Sequence, residues 1–96
     1  MKQWYLYILA SQRIGTLYVG VTNDLARRGD EHREDKTKSF TNKYRVHSLV
    51  YYEFFDSPEE AIYSEKNVKA WKRAWKIHAI EELNPDWKVL AEELLV

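Results

Sequence analysis

Three short apolar runs and two amphipathic stretches organise the chain. Trp4-Tyr5-Leu6-Tyr7-Ile8-Leu9 is wholly apolar or aromatic, and Ser48-Leu49-Val50-Tyr51-Tyr52-Glu53-Phe54-Phe55 is nearly so. Aromatic and β-branched side chains suit a pleated, buried surface, so each run predicts a strand. Thr16-Leu17-Tyr18-Val19-Gly20-Val21 has the same character and follows the loop Ala10-Ser11-Gln12-Arg13-Ile14-Gly15, which predicts a hairpin with the first run. Thr22, Asn23 and Asp24 are helix-start residues, and a helix is expected from there to about Glu34. Gly29 within it costs roughly 1 kcal/mol relative to alanine, which fits close packing or a short or bent helix. The polar residues 35–46 predict a loop or irregular helix.

Ser57-Pro58-Glu59-Glu60 is the clearest local signal. Serine at the N-cap, proline at the first helical position and glutamate at the third form a capping box with a favoured first-turn proline. The helix is expected to run through Glu65 and Lys69 to the mid-70s, then to continue or bend into a second one that ends at Asn84-Pro85. Val68, Trp71, Trp75 and Ala79 share an apolar stripe expected to face the core. Glu65, Lys69, Lys72 and Lys76 share the neighbouring stripe, with Arg73 beside it. Asp86 to Val96 predicts a final short helix or an apolar strap. The order β-β-α-β-α-α predicts an α+β fold, a small three-stranded antiparallel sheet flanked by helices, in a single domain over residues 1–96.

Composition narrows the setting. With no cysteine there is no disulfide, thiol nucleophile or cysteine zinc site, which suits a reducing cytosol. No apolar run approaches the length of a membrane span, and Met1-Lys2-Gln3-Trp4 lacks a leader's apolar stretch, so a cytoplasmic protein with no membrane partner is expected. The net charge is zero, but it is unevenly placed. Residues 1–79 carry 14 Lys and Arg against 10 Asp and Glu, and residues 80–96 carry one Lys against five acids. Two runs hold no acid at all, Lys36 to His47 and Lys66 to Lys76. Such runs serve either as solvated surface or as a grip on phosphates.

The candidate chemistry lies in Tyr7, Tyr18, Arg28, His32 and Glu65. Leu25, Arg28 and His32 fall on one face of the expected helix, so Arg28 and His32 project together. Tyr7 and Tyr18 lie on adjacent strands. Arginine offers a planar fork to phosphate oxygens, and a tyrosine or histidine of lowered pKa can take a proton from water. Each residue alone is ordinary: strands often carry tyrosine, and Glu65 can simply pair with Lys69 one turn on. Together they are the parts of a one-metal phosphodiesterase. No P-loop, dinucleotide fingerprint, His-Glu-x-x-His or nucleophile elbow is present.

Tyr5-Leu6-Tyr7, then Tyr18-Val19-Gly20 eleven positions after Tyr7, resembles the signature of the GIY-YIG nucleases. "TNDLARR" with His32, and "LVYYE" leading to the helix that bears Glu65, continue the resemblance over nearly the whole chain. It is closest to the small single-domain bacterial members, relatives of the incision domain of the excision-repair nuclease. The resemblance implies a metal-dependent endonuclease that hydrolyses nucleic-acid phosphodiesters with little sequence specificity. It implies that Tyr7 positions the attacking water and that Tyr18 is the general base or a relay to it. Arg28 would steady charge on the scissile phosphate, His32 would assist proton transfer, and Glu65 would be the single protein ligand of Mg2+ or Mn2+. Lys69, Lys72, Arg73 and Lys76 would grip nucleic acid, DNA in preference to RNA. This chain departs from the repair relatives at Val21, where they carry lysine, and at Ile77, where they carry asparagine. Asn84 is the nearest asparagine downstream, and next to Pro85 it equally suits a helix end. With no second DNA-binding domain in this sequence, a protein partner that delivers substrate is expected.

Two other readings stand beside this one. A binding module of the same fold would tolerate Glu65→Ala with affinity intact. An adaptor using its tryptophan-rich helix as an interface would associate with rising concentration.

Overall fold

The structure is a computed structural model, and it describes residues 3–25, 46 and 48–90. Three strands, β1 (Trp4–Ala10), β2 (Leu17–Thr22) and β3 (Ser48–Phe55), form one antiparallel sheet in the order β2-β1-β3. The most apolar run takes the centre, where both of its edges are paired. Tyr7 faces Gly20 on β2 and Tyr52 on β3, and Ile8 faces Val19 and Tyr51. A bulge between Ile8 and Leu9 shifts the β1–β3 register, so that Leu9 meets Leu49.

Alternation along the strands sorts the side chains onto two faces. Leu6, Ile8, Ala10, Val19 and Val50 gather on one, with Val68, Ile80 and Trp87 packed against them. Tyr7, Leu9 and Leu49 gather on the other with Leu25, Val46 and Leu90, and Tyr5, Tyr18 and Tyr52 lie at its margin. Two helices are present among the described residues, α1 (Pro58–Ala70) and α2 (Arg73–Leu83). Ser57 caps α1 as expected, its Oγ accepting the Glu60 N–H at 3.3 Å, with Pro58 opening the first turn. Helix α1 packs on all three strands through the first face, and α2 lies against β3.

The basic helix is broken rather than continuous. Trp71 and Lys72 are both extended, with ψ of 149° and 148°. The Trp71 N–H closes α1 on the Val68 carbonyl, and the Lys72 carbonyl accepts from both Trp75 and Lys76 to start α2. The break keeps both helices within the molecule's bounds. At 1.5 Å per residue a straight helix over 58–83 would be roughly 39 Å long, beyond the molecule's largest extent of 31 Å. The bend returns Ile80, fully buried, to the core. It also splits the apolar stripe expected of this segment: Val68 is buried, but Trp75 is 61% exposed, in edge contact with Trp71 at 6.5 Å.

After α2 the chain does not form another helix within the described residues. Residues 84–90 are a strap that opens on a turn, with the Trp87 N–H donating to the Asn84 carbonyl at 3.1 Å and Trp87 at φ of 54°. Trp87 packs with the first face and Leu90 with the second, and the Leu90 N–H donates to the Leu49 carbonyl at 2.7 Å. The buried Asn84 holds its root. Its Nδ2 donates to the Val50 and Lys88 carbonyls at 3.1 and 2.8 Å, and its Oδ1 accepts the Lys88 N–H at 3.0 Å. Of the two roles its sequence allowed, Asn84 takes the helix end. No helix among the described residues is long and apolar enough to cross a membrane.

Candidate active site

Tyr7 and Tyr18 meet on one face of the sheet. They sit diagonally across the β1–β2 ladder, where Tyr7 pairs with Gly20 and Leu9 with Tyr18. Their ring centroids are 6.3 Å apart with planes tilted by 39°. Tyr7 is 1% exposed, whereas Tyr18 is half-buried at the edge strand. Gly20 makes this pairing fit. A Cβ at that position would lie 2.5 Å from the Tyr7 hydroxyl oxygen and 2.6 Å from Cζ, so the phenol occupies the space a side chain would fill. A glycine inside a strand often marks such close approach, and that was the available sign for a residue to which sequence reasoning gave no role.

At the end of β2, Thr22 is buried and its Oγ1 accepts the Asp24 N–H at 3.1 Å. This turn sends the chain into the segment that carries Arg28 and His32. Arg28, His32 and most of the basic run 36–47 lie outside the described residues.

Glu65 lies on α1, one turn before the buried Val68, with its side chain 24% exposed. Its Oε1 accepts from the Lys69 Nζ at 3.1 Å. Helix α1 packs on the face opposite the tyrosine pair, and it also touches β2, the edge strand that carries Tyr18. Among the described residues no group of three or more histidine, cysteine or carboxylate side chains could hold a metal. A lone, accessible carboxylate still fits a hard cation of the Mg2+ type. Such an ion keeps several waters and takes its remaining ligands from substrate phosphates. Lys69 would have to give up its bond to Oε1.

The bend redistributes the cations of the expected basic stripe. Lys69 and Lys72 are exposed, and Lys76 is partly buried. Arg73 has turned to the protein itself: its Nη2 donates to the Ile14 and Gly15 carbonyls at 2.8 and 2.6 Å. Tyr51, on the first face of the sheet, has its phenol pushed up to about 12 by burial and then by the neighbouring Glu53 carboxylate, which also accepts its hydrogen bond at 3.1 Å. Tyr51 therefore stays protonated at neutral pH.

Comparison with known proteins bears on the family and the fold. The GIY-YIG catalytic domain family matches residues 3–78. A UPF0213 protein of Bacillus pumilus is 38% identical over 79 residues, 82% of this chain and 80% of its own length. The UPF0213 protein SSP2268 of Staphylococcus saprophyticus is 33% identical over 82 residues, covering 85% of this chain and 99% of the relative. The solution structure of the UPF0213 protein BH0048 of Bacillus halodurans is 30% identical, covers 90% of each chain and superposes with a TM-score of 0.56. The names of these relatives state no activity.

Proposed function

Because the chain belongs to the GIY-YIG catalytic domain family, we propose that it is a metal-dependent endonuclease that hydrolyses nucleic-acid phosphodiester bonds. The observation that carries this reading is the Tyr7–Tyr18 pair, packed on one face of the sheet over a glycine that leaves room for the phenol.

In this reading Tyr7 fixes the position of the attacking water through its immobilised hydroxyl. Tyr18, on the open edge strand, takes the water's proton or relays it. Arg28 presents its planar fork to the non-bridging oxygens, where charge builds as the water oxygen bonds to phosphorus and the ester oxygen leaves. His32 assists the proton transfer. Glu65 would hold a divalent cation, Mg2+ or Mn2+, to supply positive charge at the phosphate and acidify water. Because α1 packs on the face opposite the tyrosine pair, the two would have to meet around the β2 edge, which α1 also touches. Lys69, Lys72 and Lys76 bind the backbone without reading bases, so affinity falls steeply with salt. DNA is the favoured substrate, delivered by a protein partner. The whole chain, 1–96, acts as one domain, because Ile80, Trp87 and Leu90 beyond the matched residues complete both cores.

One observation favours a second reading, a nucleic-acid-binding module: Lys69 already neutralises the carboxylate that a metal needs. Cleavage of a panel of labelled DNAs and RNAs, with Mg2+, with Mn2+ and with chelator, separates the two. The nuclease predicts metal-dependent cutting that falls by at least about a hundredfold in Tyr18→Phe, Arg28→Ala and Glu65→Ala. Binding without cutting, unchanged by Glu65→Ala, would overturn it in favour of the module.

A further inference from the structure

The turn between β1 and β2 is held from the far end of the chain. Gly15 donates its N–H to the Gln12 carbonyl at 2.9 Å, so residues 12–15 form a β-turn inside a loop closed by the Ser11 N–H on the Thr16 carbonyl. The third residue of the turn, Ile14, has φ of 53°. That is the left-handed region, ordinarily filled by glycine or asparagine, and a β-branched residue there is strained. The Ile14 side chain is 52% exposed, so burial does not hold it in place. Strain of this kind persists only where the surroundings over-determine the conformation.

Arg73 supplies that determination. Its Nη2 donates to two successive carbonyls of the strained turn, Ile14 and Gly15. Arg73 itself is the first residue of α2, at the bend where α1 ends. The turn leads through Thr16 and Leu17 to Tyr18, on a strand paired along one edge only. The same guanidinium thus joins the turn that leads to Tyr18 to the start of α2, just past the bend that ends the helix bearing Glu65.

We infer that Arg73 is a positioning residue, a latch that fixes the β1–β2 turn, and with it Tyr18, against the α1–α2 bend. The latch rests on the hydrogen bonds alone. Its consequence for cleavage rests on the nuclease reading above. A lysine cannot reproduce it fully, because an ammonium is a point donor rather than a rigid planar fork.

The test compares wild type, Arg73→Lys, Arg73→Met and the double variant Arg73→Met/Ile14→Asn. Amide hydrogen exchange at Ser11 and Gly15 is measured by NMR, and cleavage kcat and KM are measured in parallel. Loss of two charge-assisted bonds is expected to speed exchange of both amides roughly tenfold in Arg73→Met, relative to amides of central β1. The value of kcat should fall with KM unchanged, and Arg73→Lys should lie between. Asparagine tolerates the left-handed region, so Ile14→Asn should recover most of the loss in exchange and in kcat. Unchanged exchange at the turn, with a raised KM and a flatter salt dependence, would overturn the latch and make Arg73 a phosphate contact. A loss that Ile14→Asn fails to recover would also overturn it. If wild type cuts nothing, the nuclease reading fails by itself, and the exchange rates still decide the latch.

Discussion

Gly20→Ala probes the tyrosine pair directly. The added methyl would lie 2.5 Å from the Tyr7 hydroxyl oxygen, 2.6 Å from Cζ and 3.0 Å from Cε1. A solvent-facing ring could swing aside, but Tyr7 is 1% exposed and packed among Leu9, Leu25, Val46, Leu49 and Leu90. Either the ring is forced off its rotamer or the β1–β2 ladder opens. Overpacking of this kind costs about 1–3 kcal/mol. Alanine regains about 0.5–1 kcal/mol of the entropic handicap of a strand glycine. The net loss is about 0–2.5 kcal/mol with a centre at about 1.25, which in a chain of 96 residues lowers Tm by roughly 5–10 °C at that centre. A thermal melt followed by near-ultraviolet circular dichroism reads the loss. Val19→Ala is the control. It removes buried volume from the opposite face, which should lower Tm by a comparable amount while leaving the tyrosines in place. Well below both melting points, Gly20→Ala should lose kcat and Val19→Ala should keep it. A Gly20→Ala protein that melts at or above wild type refutes the packing argument, and parallel losses of kcat in the two variants refute its link to chemistry.

Two predictions concern other parts of the molecule. Asn84→Ala removes three hydrogen bonds from a buried site and is expected to cost about 2–4 kcal/mol in urea denaturation. Weaker DNA binding with unchanged stability would instead make Asn84 a phosphate contact. Burial and then the Glu53 carboxylate push the Tyr51 phenol up from 10.0 to about 12 in the fold. The folded state therefore keeps a proton that the unfolded chain releases, and the stability this confers is complete below pH 10 and drains away between pH 10 and 12. Melts across that window should fall more steeply for wild type than for Tyr51→Phe, and parallel curves would refute the assignment.

The sheet and the start of α1 were legible because their causes are local. Runs such as Trp4–Leu9 and Ser48–Phe55 declare strands by residue type, and Ser57-Pro58 declares a helix start by capping chemistry. A bend into a second helix was one of the two outcomes expected, but its place at Trp71-Lys72, before the mid-70s, was not legible, since neither residue breaks a helix by itself. Arg73 illustrates the same difficulty at a single side chain. In a basic run it read as a phosphate grip, but its bonds go to carbonyls 58 and 59 residues away, a pairing that only tertiary structure creates. The joining of Tyr7 and Tyr18 was anticipated from the hairpin, and the need for Gly20 beneath them follows only from the register. Arg28 and His32 stand on sequence alone.

The strap formed by residues 84–90 ties the fortunes of the two faces together. It passes around the β3 side of the sheet, with Trp87 in one core, Leu90 in the other and a backbone bond to Leu49 between them. Neither core can be opened at the strap without loosening the other, so the sheet and its two coverings should melt as a single cooperative unit. A ligand that stiffens the tyrosine face would then be felt on the helical face, through a belt that touches neither Tyr18 nor Glu65. The same belt occupies hydrogen-bonding positions on an edge strand that would otherwise be open to a strand from another molecule. One short segment thus serves both as the clasp of the fold and as its guard against self-association.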